Sequence, residues 1–190
     1  MLFFEHPNSM IPQLIVLLCV AAYTLMGCAW DLKTRRLPNW LTVTSFFAGL
    51  VFHGVVGALS DQGFLGGLLF SLAGFGMGFG ILFVMFAIGG GAGGDVKFMG
   101  ALGAWVGWKA ILVIFIGSGL VAAISLVVVA VWGLAFGSPE PKEGEKRGST
   151  LANRVVPYAI PATISAWLVL GGLFTLKWVA MSGTPITLEN

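Results

Sequence analysis

The sequence predicts an all-α, polytopic membrane protein with about six transmembrane helices and both termini outside. Three observations carry that expectation: too little polarity to face water, apolar runs long enough to cross a bilayer, and basic residues gathered in alternate connecting segments. Of 190 residues, 57% are hydrophobic and 9% are charged, where an average soluble domain carries roughly 25% charged residues. A folded chain of this size leaves much of its surface exposed, so lipid is the natural solvent for it. The net charge of +2 is small and scattered, which offers nucleic acid no basic patch to bind.

The spans follow from length, since about 20 apolar residues cover the hydrocarbon of a bilayer. Met10 to Trp30 supplies the first, interrupted by Pro12 and Gln13. No basic residue precedes it, so it reads as a retained span rather than a cleaved signal. The polar stretch DLKTRRLPN (Asp31 to Asn39) follows, then a second span from Trp40 to Leu59 and a short turn at Ser60, Asp61 and Gln62. Asn39, after Pro38, reads as a cap for the second helix. The third span is Gly63 to Ile88, followed by the run GGGAGG (Gly89 to Gly94) and Asp95. From Val96 to Phe136 the chain must cross twice. Gly107-Trp108-Lys109 is the preferred break, because the alternative at Gly117-Ser118-Gly119 would leave Lys109 inside the hydrocarbon. Residues 137–154, chiefly Ser138 to Arg154, read as a charged cytoplasmic loop, and Val155 to Ala180 as the last span. The whole of 1–190 is expected to be a single membrane-embedded domain.

Orientation comes from the basic residues. Lys33, Arg35, Arg36, Lys97, Lys142, Lys146, Arg147 and Arg154 fall on one side, against Lys109 and Lys177 on the other. The basic side is expected to be cytoplasmic. Small residues recur at helical spacing on the third span, at Gly67, Ser71, Gly74 and Gly78, with Gly76 and Gly80 beside them and Gly103 and Gly107 on the fourth. Such rows let helix backbones approach closely in lipid. Cys19 and Cys28 are nine positions apart, which is no zinc or redox spacing, and read as small buried thiols. His53, in mid-span, reads as a core histidine with a satisfied hydrogen bond, and His6 as an exposed terminal residue.

The acids carry the chemistry. Glu5, Asp61 and Glu189 belong to outward segments, and Glu140, Glu143 and Glu145 to the solvated loop. Asp31 and Asp95 remain. The topology brings them together, one closing the first span and the other opening the fourth at the same end. Ionisable groups at membrane depth mark function by default. Two carboxyls sharing a site resist double ionisation and hold one proton between them. The ionised member can then take a proton from water, which attacks a peptide carbonyl, while the protonated member serves the developing oxyanion and the leaving amine. A glycine run before Asp95 is a poor helix interior; it suits an irregular loop lining a wet cavity.

These residues resemble a known family. GGGAGGDVKFMGALGAW (Gly89 to Trp105), paired with WDLKTRRLPNWLT (Trp30 to Thr42), is similar to the bacterial type IV prepilin peptidases, membrane aspartic peptidases with a Gly-x-Gly-Asp motif. The similarity covers roughly Ala21 to Trp132. It implies that Asp31 and Asp95 are the catalytic pair. It further implies that the substrate is the cytoplasmic leader of a prepilin or pseudopilin, with glycine at the last leader position. Position 92, where the motif has its first glycine, is Ala92. Gly93, Gly94, Lys97 and Lys33 are candidates for the active-site loop and substrate contacts. Longer relatives carry an N-terminal region with Cys-x-x-Cys zinc sites and methylate the new N-terminus. The chain resembles the short, peptidase-only members of tight-adherence (Flp) pilus systems. No zinc, no S-adenosylmethionine and no methyltransferase activity are therefore expected, in a multi-pass protein of the bacterial inner membrane. An archaeal preflagellin peptidase would use the same acids. Outside the enzymes, a non-catalytic scaffold of a secretion system or a small transporter remain the alternatives. The transporter would want acids near mid-bilayer and internal repeats, and neither is evident.

Overall fold

The computed structural model describes residues 10–34, 37–89, 92–136 and 159–181. Among them the regular structure is entirely helical. The helices are α1 (Met10–Thr34), α2 (Asn39–Ala58), α3 (Gly63–Ala87), α4 (Gly93–Phe136) and α5 (Ala159–Met181). All five are long and apolar enough to cross a membrane. The stretch read as a cytoplasmic loop, 137–154, lies outside the described residues, as do Arg35, Arg36, Gly90, Gly91 and both termini. Leu14, Leu18, Phe47, Val51, Leu69, Ile116, Leu120 and Leu168 are among many large apolar side chains turned outward, as a lipid-facing surface requires.

Prolines mark helix starts. Pro12 and Pro161 sit in the first turns of α1 and α5, where a missing N–H costs nothing. Pro38, extended at φ −69° and ψ 135°, precedes α2 and makes no side-chain cap. Asn39 is therefore the first helical residue rather than the cap, and the cap expectation is corrected. At the far end of α2 the Ser60 N–H and hydroxyl both donate to the Gly57 carbonyl, and the chain turns into α3.

α4 is two segments. Gly107 has φ 78° and ψ 170°, a conformation that glycine alone adopts at little cost. A Cβ on Gly78 would meet both the Met99 carbonyl and the Ile111 side chain. In a straight helix those residues would stand about 18 Å apart. The chain therefore doubles back at Gly107, in the triplet preferred from sequence, giving antiparallel segments 93–106 and 108–136. The first spans only about 21 Å and is the best-buried element, with Val96, Phe98, Met99, Ala101, Leu102, Ala104, Trp105 and Val106 all in the core.

A break inside the bundle strips the preceding carbonyls of helical partners, and unsatisfied backbone groups in hydrocarbon cost several kcal/mol each. Side chains from α3 and α2 meet that need. Ser71 Oγ donates to the Ala104 carbonyl at 2.9 Å, and His53 Nε2 lies 2.9 Å from the Trp105 carbonyl. A carbonyl can only accept, so Nε2 carries the hydrogen. His53 is thus a satisfied core histidine. Trp105 Nε1 in turn donates to Ser45 of α2.

The small-residue row of α3 faces inward as expected: Gly67, Ser71, Gly74 and Gly78 are buried. A Cβ on Gly74 would collide with the Gly103 carbonyl, and one on Gly67 with the His53 carbonyl. Gly76 and Gly80 differ. Nothing stands within 4 Å of a Cβ at either, so they pack no helix, because they lie off the buried face of α3.

Candidate active site

The site is assembled by one face of α1 against the start of α4. Tyr23, Gly27 and Asp31 recur every fourth residue and so share a face. Tyr23 stacks on Phe98 with ring centroids 5.0 Å apart and planes at 19°. Its hydroxyl donates to the Phe98 carbonyl at 3.1 Å. One turn on, Gly27 has no side chain because the Phe98 ring fills the space: a Cβ there would lie 2.5 Å from a ring carbon. One turn further, the same face presents Asp31, buried at 9% exposure. On α4, Asp95 lies one turn before Phe98, half-buried. Each aspartate lies one turn beyond the Gly27–Phe98 contact on its own helix, which brings both to the same end of the bundle. Two acids from helices remote in sequence thus converge at one end of the bundle.

The glycines before Asp95 are placed differently from the expectation of a loop. α4 begins at Gly93, so Gly93 and Gly94 form its first turn, and the Asp95 N–H donates back to the Ala92 carbonyl at 3.1 Å. The first-turn N–H groups have no intrahelical partner in any helix, so glycine weakens that turn less than it would a helix interior. Asp95 itself falls where a helix terminus favours negative charge. A Cβ on Gly94 would stand 3.8 Å from Leu37, and one on Gly93 3.7 Å from Phe86. The start of α4 therefore lies beside Leu37 of the connection after α1 and Phe86 at the end of α3.

Lys33 and Lys97 are both exposed. Lys33 sits in the last turn of α1, where a cation suits the helix dipole. Lys97 Nζ donates to Asn39 Oδ1 at 2.9 Å. Behind Asp31, the Cys28 thiol lies 3.0 Å from Thr163 Oγ1 and 3.2 Å from the Ala159 carbonyl. Cys19 and Cys28 are free thiols and half-buried rather than buried. Among the described residues no three His, Cys, Asp or Glu side chains group as a metal site would need. Tyr23, Gly27, Phe98 and Asn39 are the supporting residues that sequence reading missed. The four-residue spacing leading to Asp31 was the available signal for the first two.

The fold and its site define a class: a multi-pass helical membrane protein with two aspartates brought together at one end of its bundle. Residues 14–127 match the model of the type IV leader peptidase family. The chain belongs to the type IV leader peptidase family. It is 30% identical over 164 residues to a prepilin leader peptidase/N-methyltransferase of Pectobacterium carotovorum subsp. carotovorum, covering 83% of this chain and 49% of that one. It is 32% identical over 135 residues to the protein of the same description from Burkholderia pseudomallei strain 1026b, covering 65% of this chain and 40% of that one. The chain thus spans half or less of the length of these relatives. No solved structure matches it.

Proposed function

We propose that this chain is a membrane aspartic endopeptidase that removes the cytoplasmic leader of a prepilin or pseudopilin. The observation that carries the reading is the convergence of Asp31 and Asp95 on the α1–α4 contact. One carboxylate takes a proton from a water between them as the water oxygen attacks the scissile carbonyl. The other carboxylic acid donates to the carbonyl oxygen, and a proton then passes to the leaving amine. Carboxyls that share one proton act as a pair, so the two roles are assigned to the dyad and not to either residue. Family membership supports the substrate class, since both relatives are named for prepilin leaders.

The orientation belongs to the same proposal. The sequence assigns most basic residues to the side of the chain that carries the aspartates, which favours the cytoplasmic face of the bacterial inner membrane for that end. A prepilin leader on that side would reach the acids without crossing lipid. The chemistry assigned is peptide hydrolysis alone, with no metal or S-adenosylmethionine. A scaffold or transporter reading is less well supported, because neither needs two acids paired at one rim of the bundle.

Co-expression with prepilin-like precursors from the same genome tests the proposal. The expected product is a pilin shortened by its leader, with no added methyl mass on the new N-terminus. Full-length precursor recovered in every pairing would contradict it.

A further inference from the structure

A lysine follows each aspartate by two residues, at Lys33 and Lys97. Positions two apart on a helix stand about 200° apart around its axis, so neither ammonium shares a face with its own aspartate. Burial agrees, with Asp31 and Asp95 turned inward and both lysines exposed. Lys97 therefore has a different partner. Its Nζ bonds Asn39, the first residue of α2. Beside that bond, Leu37 packs toward Gly94, and a Cβ on Gly94 would stand 3.9 Å from the Leu37 Cβ. One polar and one apolar contact tie the connection that follows Asp31 to the turn that carries Asp95.

We infer that Lys97 and Asn39 form a positioning latch that holds the end of α1 and the start of α4 in register, so that the two carboxyls meet at a fixed separation. Neither residue is catalytic, and the inference rests on the peptidase reading above. The latch gives Lys97 a positioning role, distinct from the substrate contact expected from sequence. Its bond is charge-assisted and crosses between helices remote in sequence, so it acts on geometry rather than on the proton.

The test combines kinetics with a cross-link. Lys97→Met and Asn39→Ala should each lower kcat about tenfold, as small misplacements of reacting groups do, with KM changed by less than about twofold. The double variant should be no worse than either single, because both remove one bond. Lys97→Arg and Asn39→Asp should retain most of the rate, Asn39→Asp only while Lys97 is present. In parallel, Leu37→Cys with Gly94→Cys should form a disulfide readily, since the 3.9 Å Cβ separation is near the usual value, and Lys97→Met should reduce its yield severalfold. Additive losses of kcat, unchanged kcat, or a cross-link indifferent to Lys97→Met would overturn the latch. The cross-link needs no substrate, so it reports on the latch even if no leader is ever cleaved.

Discussion

At the scale of single residues, the geometry of the proposed dyad depends on an absence. Gly27 is the position where α1 lies directly against the Phe98 ring, between the Tyr23 bond and Asp31. Phe98 is fully buried, so its ring has nowhere to retreat. Gly27→Ala should push the two helices apart and move Asp31 from Asp95. A drop of tenfold or more in kcat is expected, consistent with the cost of misplacing a reacting group by about 1 Å. Phe98→Leu in the same chain should recover part of the rate by clearing the ring edge. Kinetics on the single and double variants check this, and an unaffected Gly27→Ala enzyme would show that the α1–α4 spacing does not set the reaction.

At the scale of elements, the short segment 93–106 is the piece on which the others are built. It ends inside the bundle because Gly107 turns the chain, and Ser71 and His53 satisfy the carbonyls the turn leaves behind. Gly107→Ala would place a methyl group in a conformation costing roughly 1–3 kcal/mol and against the Phe70 ring. The thermal unfolding midpoint in detergent should fall clearly, and an unchanged midpoint would contradict the turn. Much of this scale was legible beforehand. Apolar length locates the helices, and a glycine beside an interfacial Trp-Lys pair locates the reversal. The inward row on α3 is legible because small residues four apart have few other uses. What sequence hides is rotation and pairing. Gly76 and Gly80 look like members of the row yet fall off the contact face. Asn39 looks like a cap, but Pro38 precedes it and Lys97 claims its side chain. Gly93 and Gly94 look like loop, yet a helix tolerates glycine in its first turn. These misses turned on helix rotation, on a partner from another helix and on where a helix begins, none of which a local pattern reveals.

At the scale of the molecule, the claim is that the fold exists to bring Asp31 and Asp95 to one rim. The topology needed for it follows from chain direction. α1 ends where α4 begins, and the hairpin of α2 and α3 between them returns the chain to the same side. The pair itself was legible because ionisable groups are so rare in this sequence that two at one depth stand out. Its support was not: Tyr23, Gly27 and Phe98 set the spacing through an aromatic stack and a missing side chain, neither of which has a motif. The most direct measurement is leader cleavage of a prepilin by purified Asp31→Asn and Asp95→Asn variants whose detergent unfolding matches the parent. The account predicts that each loses cleavage by at least about a thousandfold, since general acid–base catalysis alone contributes up to about 10⁴-fold. Cleavage near the parental rate by either variant would remove that aspartate from the chemistry and with it the dyad.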